Sequence, residues 1–438
     1  MPIIKIALWF IYNKRILGMD MSNMKIFINY VGLINKACIE TDGVTVIGGY
    51  NNSGKSTILK GIYALLYSDY CIKEKILNER KQSLFNLLQR HIFSHELYYY
   101  IDIGNLVNLI FRKYYKYGRL SYEEFLNILT DKTIRNEGAE GIVQESDVFP
   151  NKTELFKNEL PELYKKVITV FKRSDSDYEK FIFSKYFNNV FTGNINMYNN
   201  KQKCKIEAEI DGNISFAEFS GNKLVSCKGL SGYNVPVFYI STSHFIEKRK
   251  TVIYSELNRA LKRDDGLDIV YESYRDTEEN KETLKSILQE ILHGNISFSD
   301  EGLVYKDENT NSDFHINNVA SGMKNLLVIQ KLLNNGSLGR NSILLIDEPE
   351  TNLHPEWQVK FAEILVLLNK ELGIKVIANS HSPYFMRAVE VKLSDYGIKE
   401  KGYFYLMQED EKGTFCTEDV TDNTDKIYKM LYKPLEYL

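Results

Sequence analysis

The stretch Gly49-Tyr50-Asn51-Asn52-Ser53-Gly54-Lys55-Ser56-Thr57 constrains the fold more than any other part of the chain. Glycines at both ends of a small polar run let the backbone curl tightly, and the residues on either side say what the curl connects. Val44 to Ile47 before it reads as a buried strand, and Ile58, Leu59, Ile62, Tyr63, Leu65 and Leu66 after it recur at helical spacing. Strand, glycine loop and helix in that order present successive backbone N–H groups, and the positive end of a helix, to an anion. The ligand expected there is a nucleoside triphosphate, ATP, with magnesium. Gly49, Asn51, Asn52, Ser53 and Gly54 wrap its α- and β-phosphates, Lys55 carries positive charge toward the β- and γ-phosphates, Ser56 offers a hydroxyl to the metal and Thr57 supports the α-phosphate.

A second signal lies far downstream. Ile343 to Ile346 is apolar without alternation, which suits a central parallel strand covered on both faces, and it ends in Asp347-Glu348. Ligands of open α/β sheets sit beyond the carboxyl ends of strands, so both carboxylates are expected beside the phosphate loop. Asp347 is then placed to hold magnesium through water, and Glu348 to polarise an attacking water as general base. Pro349, Glu350, Asn352 and His354 lead into Pro355, which opens a helix striped by Trp357, Phe361, Ile364, Leu365 and Leu368 and stopped by Gly373. A strand around Lys375 to Ala378 delivers Asn379, Ser380 and His381 to the same edge, with His381 reading the γ-phosphate or the lytic water. Upstream, Ala320-Ser321-Gly322-Met323-Lys324 opens another helix, which Ser321 is expected to cap and where Gly322 lets an anion approach.

The 438 residues suffice for two or three folding units. The expected division is an N-terminal extension over 1–23, a first ATPase segment over 24–70, and a helical insertion followed by antiparallel strands over 71–234. A strand and helical arm then covers 235–318 and a second ATPase segment 319–438. The antiparallel strands are expected at Cys204 to Ile210 and Leu224 to Cys227, and a charged amphipathic helix at Glu272 to Leu292. Ile3 to Tyr12, followed by Lys14 and Arg15, lacks a small-residue cleavage site, and Met24 is the expected functional start. A net charge of −3 gives no whole-chain attraction to nucleic acid and leaves Lys248-Arg249-Lys250 as a local basic patch or a solvated turn. No run approaches the roughly 20 apolar residues that cross a bilayer, and five scattered cysteines read as reduced thiols of a cytoplasmic protein.

The ordered set of Gly49 to Thr57, Ser321-Gly322, Asp347-Glu348-Pro349-Glu350 with Leu353-His354-Pro355, and Ser380-His381-Ser382-Pro383 resembles the bacterial ABC-type ATPases related to the OLD (overcoming lysogenization defect) family and to RecF. The resemblance covers roughly half the chain. It implies an α/β P-loop fold with a mixed central sheet flanked by helices, a mainly helical insertion and a small antiparallel sheet. It also implies a head-to-tail homodimer enclosing two ATP molecules, closed by ATP and opened by hydrolysis. Lys55, Ser56, Asp347, Glu348 and His381 then act from one subunit and Ser321 from the other. Three features depart from the pattern. Ser-Gly-Met-Lys replaces Leu-Ser-Gly-Gly-Gln, no Q-loop glutamine is evident near Ser241 to His244, and no Toprim segment follows His381.

Standalone relatives of this kind resemble the ATPase subunits of anti-phage systems such as Septu and PARIS. The expectation is an ATPase serving a nucleic-acid-related process beside a separate effector protein. The alternative is a nucleotide-gated scaffold that restrains a partner, with hydrolysis as a timer. The long insertion and altered signature disfavour a transporter motor, and the missing coiled coil disfavours a chromosome-organising SMC protein.

Overall fold

The computed structural model describes residues 23–94, 101–129, 153–197, 202–230, 234–241, 252–262, 286, 288, 292, 294–299, 302–308 and 312–433. The N-terminal stretch before Asn23, the Lys248 to Lys250 triplet, His244 and most of the helix anticipated over Glu272 to Leu292 lie outside them. Two compact units result: residues up to Tyr70 together with those from Phe183 onward, and residues Cys71–Ile182.

The first unit is organised by strands β1 (Met24–Val31), β2 (Ile34–Thr41), β3 (Val44–Gly48), β4 (Cys204–Ile210), β5 (Asn213–Ser220), β6 (Lys223–Lys228) and β7 (Val237–Ser241), then β8 (Gly294–Ser299), β9 (Gly302–Asp307), β10 (Ser312–His315), β11 (Ile343–Asp347), β12 (Lys375–Ser380), β13 (Gly402–Glu409) and β14 (Phe415–Asp419). Among the described residues eleven of them form one sheet in the order β6-β5-β4-β1-β2-β14-β13-β3-β12-β11-β7, while β10-β9-β8 form a separate antiparallel sheet. β13, β3, β12, β11 and β7 are mutually parallel neighbours. Their sequence explains the placement. In β11, Leu344 and Ile346 enter the core on one face of the sheet and Ile343 and Leu345 the core on the other, so every position before Asp347 is apolar.

β4 shows the opposite pattern. Cys204, Ile206, Ala208 and Ile210 are buried while Lys205, Glu207 and Glu209 face outward, as befits an antiparallel strand with one wet face. The buried face packs on helix Lys55–Asp69, where a Cβ on Gly61 would lie 3.0 Å from Ile206 Cδ1. The antiparallel strands anticipated at Cys204 to Ile210 and Leu224 to Cys227 therefore form, but they extend the main sheet past β1. The separate small sheet lies at Gly294 to His315. A one-sided pattern fixes which face of a strand is buried and leaves its neighbour open.

The second unit is helical in its described residues, with a core that includes Leu84, Leu88, Leu106, Ile110, Phe125 and Val167. Its helix ends carry their own signals. Asp102 accepts from the Asn105 N–H at 3.0 Å to cap helix Ile103–Tyr117. Ser121 and Glu124 exchange bonds of 2.9 and 3.1 Å in a reciprocal capping box. No helix among the described residues is long and apolar enough to cross a membrane.

The register of the parallel strands levels their carboxyl ends. Gly48 stands opposite Ser380, Asn379 opposite Asp347, and Asp347 opposite Ser241. Residues scattered along the sequence thereby meet at one edge.

Candidate active site

β3 ends at Gly48 and the chain turns through residues 49–54 before helix Lys55–Asp69 begins. Gly54 makes that turn with φ of +88°, a conformation that requires glycine, and a Cβ there would also displace the Ile34 Cδ1 methyl, 2.4 Å away. The Lys55 ammonium folds back over the loop and donates to the carbonyls of Gly49 and Tyr50, both at 2.7 Å. Its burial pushes its pKa down, against the opposing pull of Glu348, Glu350 and Asp347. A poorly hydrated cation held only by carbonyls stands to gain from an arriving phosphate. Ser53 is buried and its hydroxyl has no hydrogen-bond partner among the described residues, whereas Asn51 and Asn52 are exposed. Thr57 follows in the first helical turn, against Gly32 of the β1–β2 turn.

The acidic strand end meets this loop directly. The Ser56 hydroxyl donates to Asp347 Oδ1 at 2.9 Å, and the Tyr239 hydroxyl donates to Oδ2 at 2.8 Å. Glu348 adopts φ of +52°, a strained conformation for a residue with a side chain. Asn379 compensates, its Oδ1 accepting the Glu348 N–H at 2.8 Å and its own carbonyl accepting the same group at 3.2 Å. The Ser56 and Asp347 oxygens are hard donors of the kind magnesium prefers, and a magnesium ion that keeps waters and phosphate oxygens needs few protein ligands. Among the described residues no group of three or more His, Cys, Asp or Glu could hold a metal.

Glu350 ties the two halves of this edge together. It is buried, and its Oε1 accepts from the Ser380 hydroxyl at 2.7 Å, the His381 N–H at 2.8 Å and the Ser382 N–H at 3.2 Å. Its Oε2 has no partner among the described residues, and burial raises its pKa. His381 Nδ1 lies 3.6 Å from Glu348 Oε1 and 3.3 Å from Glu350 Oε1. Glu348 nevertheless dominates in raising the His381 pKa, with burial opposing and Glu350 assisting. The reason is that Glu350 already shares its nearer oxygen among three donors and is itself pushed toward its neutral form. Reciprocally, the His381 imidazole beside it holds the Glu348 carboxyl below its usual range.

The sign of the linkage follows. Because the folded-state pKa of His381 is raised, its contribution to stability is fully present below the unfolded value of about 6.5 and is lost as pH rises through the folded one. Imidazole resonances followed by NMR are expected to titrate above that ordinary value in the nucleotide-free protein and to move down in Glu348→Gln. An unmoved midpoint in the variant would remove Glu348 as the cause.

Helix Ser321–Asn334 begins with Ala320 in the capping position, φ −52° and ψ 130°, and without a side-chain cap. The expectation that Ser321 caps it is corrected: the extended residue is the alanine, so Ser321 opens the first turn, and its side chain lies outside the described residues. Gly322 is packed closely against the loop after Glu350, where a Cβ would lie 2.5 Å from Leu353 Cδ2 and 2.8 Å from the Asn352 carbonyl. Lys324 is buried and donates to the Asn317 carbonyl at 3.2 Å.

Residues 227–387, from β6 to just beyond His381, match the family described as "AAA domain, putative AbiEii toxin, Type IV TA system". A curated relative from Methanosarcina acetivorans, "Putative ABC transporter ATP-binding protein", is 33% identical over 91 residues, which cover 19% of this chain and 27% of the relative. The segment matched to the family carries the helix from Ser321, the acidic end of β11 and His381. The match to that relative spans about a quarter of its length, 27%. Among solved structures the chain is similar to the "SMC head domain from Thermotoga maritima", at 10% identity and a TM-score of 0.36 over 92% of this chain and 99% of that one. It is also similar to an Smc head domain derived from Pyrococcus furiosus bound to the C-terminal domain of ScpA, at 11% identity and a TM-score of 0.39 over 94% and 99%.

Three residues around this sheet edge escaped the sequence reading of roles: Tyr239, Asn379 as the support of Glu348, and Glu350 as the link to His381. Tyr239 left one trace, a polar-tipped ring inside the otherwise apolar run Val235 to Ile240.

Proposed function

We propose that the chain binds ATP with magnesium and hydrolyses it between two copies arranged head to tail. The observation that carries this reading is the 2.9 Å bond between Ser56 and Asp347, which joins the phosphate loop to an acid 291 residues later. Lys55 leaves the Gly49 and Tyr50 carbonyls for the β- and γ-phosphates, and Gly49, Asn51, Asn52, Ser53, Gly54 and Thr57 enclose the phosphate chain. Bound magnesium would neutralise phosphate charge, with Ser56 and Asp347 as its protein-side oxygens. Glu348, ionised at neutral pH, accepts the proton of the attacking water. His381 turns from Glu348 toward the γ-phosphate, which returns basicity to Glu348. Ser321 and Gly322 of the second copy complete the enclosure.

The wider role is an ATPase subunit, cytoplasmic, that works beside a separate effector protein in a bacterial nucleic-acid-related, anti-phage process. Support comes from the description of the matching family, which names a toxin–antitoxin system. Gel filtration of Glu348→Gln with and without ATP and magnesium tests the dimer. The expected result is a shift from 50.9 kDa to twice that mass only with nucleotide. A variant that binds ATP tightly and stays monomeric would refute the shared site.

A further inference from the structure

The Asp347 carboxylate is gripped on both oxygens, and the grip on the side away from the phosphate loop leads into a column of tyrosines. Tyr239, 2% exposed, donates to Oδ2 at 2.8 Å. The Tyr63 ring meets Tyr239 edge-on with centroids 6.0 Å apart, and Tyr63 stacks on Tyr67 at 5.1 Å and 11°. Tyr67 is braced edge-on by Tyr186 at 5.2 Å, and its hydroxyl donates to Glu256 Oε2 at 2.6 Å. Glu256 stands on helix Val252–Leu261. Ser56, Tyr63 and Tyr67 are seven and four residues apart, which places all three along one face of the phosphate-loop helix.

We propose that Tyr239 is a positioning residue for Asp347, fixing which oxygen the carboxylate presents to the phosphate loop, and that the Tyr63–Tyr67 column anchors it to Glu256. This rests on the magnesium–ATP reading of the site. Among the described residues Ser56 and Tyr239 supply the two side-chain hydrogen bonds to the carboxylate. When Ser56 turns to a metal, Tyr239 keeps the group from rotating. Groups that orient a metal-binding carboxylate in this way typically change metal affinity about 10- to 100-fold when removed. A tyrosine present only to fill space makes a different prediction, because phenylalanine retains the ring.

The test is Tyr239→Phe in the full chain, read as binding of a fluorescent ATP analogue while magnesium is titrated, with thermal melting as the check on folding. The magnesium concentration for half-maximal binding is expected to rise about tenfold or more, while binding in EDTA stays within about twofold of wild type. A folded variant with the wild-type magnesium midpoint overturns the proposal. Should the variant lose its cooperative melt, Tyr67→Phe carries the test, since it keeps the stacked rings and removes the hydroxyl that bonds Glu256. A rise of about threefold in its magnesium midpoint supports the column, and an unchanged midpoint overturns it. Wild-type protein that takes up no nucleotide at any magnesium concentration removes the ATP reading itself, an outcome visible without any variant, and this inference falls with it.

Discussion

Glu348→Gln is expected to slow phosphate release from ATP by about 10²- to 10⁴-fold, the usual range for losing a general base, while ATP binding survives. Glutamine preserves the shape of the side chain and can still accept from Thr351, which lies 3.3 Å from Glu348 Oε2. What it lacks is the negative charge that accepts a proton and that pairs with His381 3.6 Å away. The strained backbone at this position is held through the N–H, which bonds Asn379 whichever side chain is present, so the site should keep its geometry. Steady-state turnover and equilibrium nucleotide binding, measured side by side, check the expectation. The same variant separates the two functional readings. Full cellular activity without turnover would make the protein a nucleotide-gated scaffold, and loss of activity would make hydrolysis the working step. A variant that hydrolyses ATP at the wild-type rate would exclude Glu348 as the base.

Lys55→Ala should weaken ATP binding by about a hundredfold or more, because two charge-assisted contacts of roughly 1.5–3 kcal/mol each disappear. The free protein is expected to tolerate the change. Lys55 is buried at a desolvation cost, which its removal relieves, although the Gly49 and Tyr50 carbonyls lose a donor. Nucleotide titration alongside a melting curve distinguishes lost binding from lost fold. A variant that binds ATP normally would show that the loop cradles phosphate through its backbone alone, and Lys55 would lose its assigned role.

What the sequence made legible was whatever depends on short spacing. The phosphate loop announces itself within nine residues, and β11 is readable because a strand covered on both faces must be apolar throughout. The helix after Pro355 starts and stops where its proline and glycine require. Convergence of Ser56 with Asp347 was also inferable, since parallel strands align their carboxyl ends. Longer-range choices were not. The pattern of β4 states that one face is buried and is silent on whether the neighbour is β1 or a separate sheet. The position of Ala320 ahead of Ser321 is a matter of one residue's ψ angle. Tyr239, Asn379 and Glu350 acquire their tasks only when strands distant in sequence are set side by side, which no local spacing encodes.

The place of β3 in the sheet bears on how the protein is made. The strand that carries the phosphate loop is made long before both of its hydrogen-bonded neighbours, β12 and β13, which lie far downstream in the sequence. Contacts of such long sequence separation form late, because closing long loops costs entropy before the pairing repays it. Until β12 and β13 have been made, Val44 to Gly48 has neither partner, and the partial chain exposes an apolar strand with unpaired edges, the kind of species that is prone to aggregation. A polypeptide that lacks β12 and β13 therefore carries the phosphate-loop residues on a strand without its neighbours, and the proposed nucleotide site is complete only in molecules whose synthesis has run past β13.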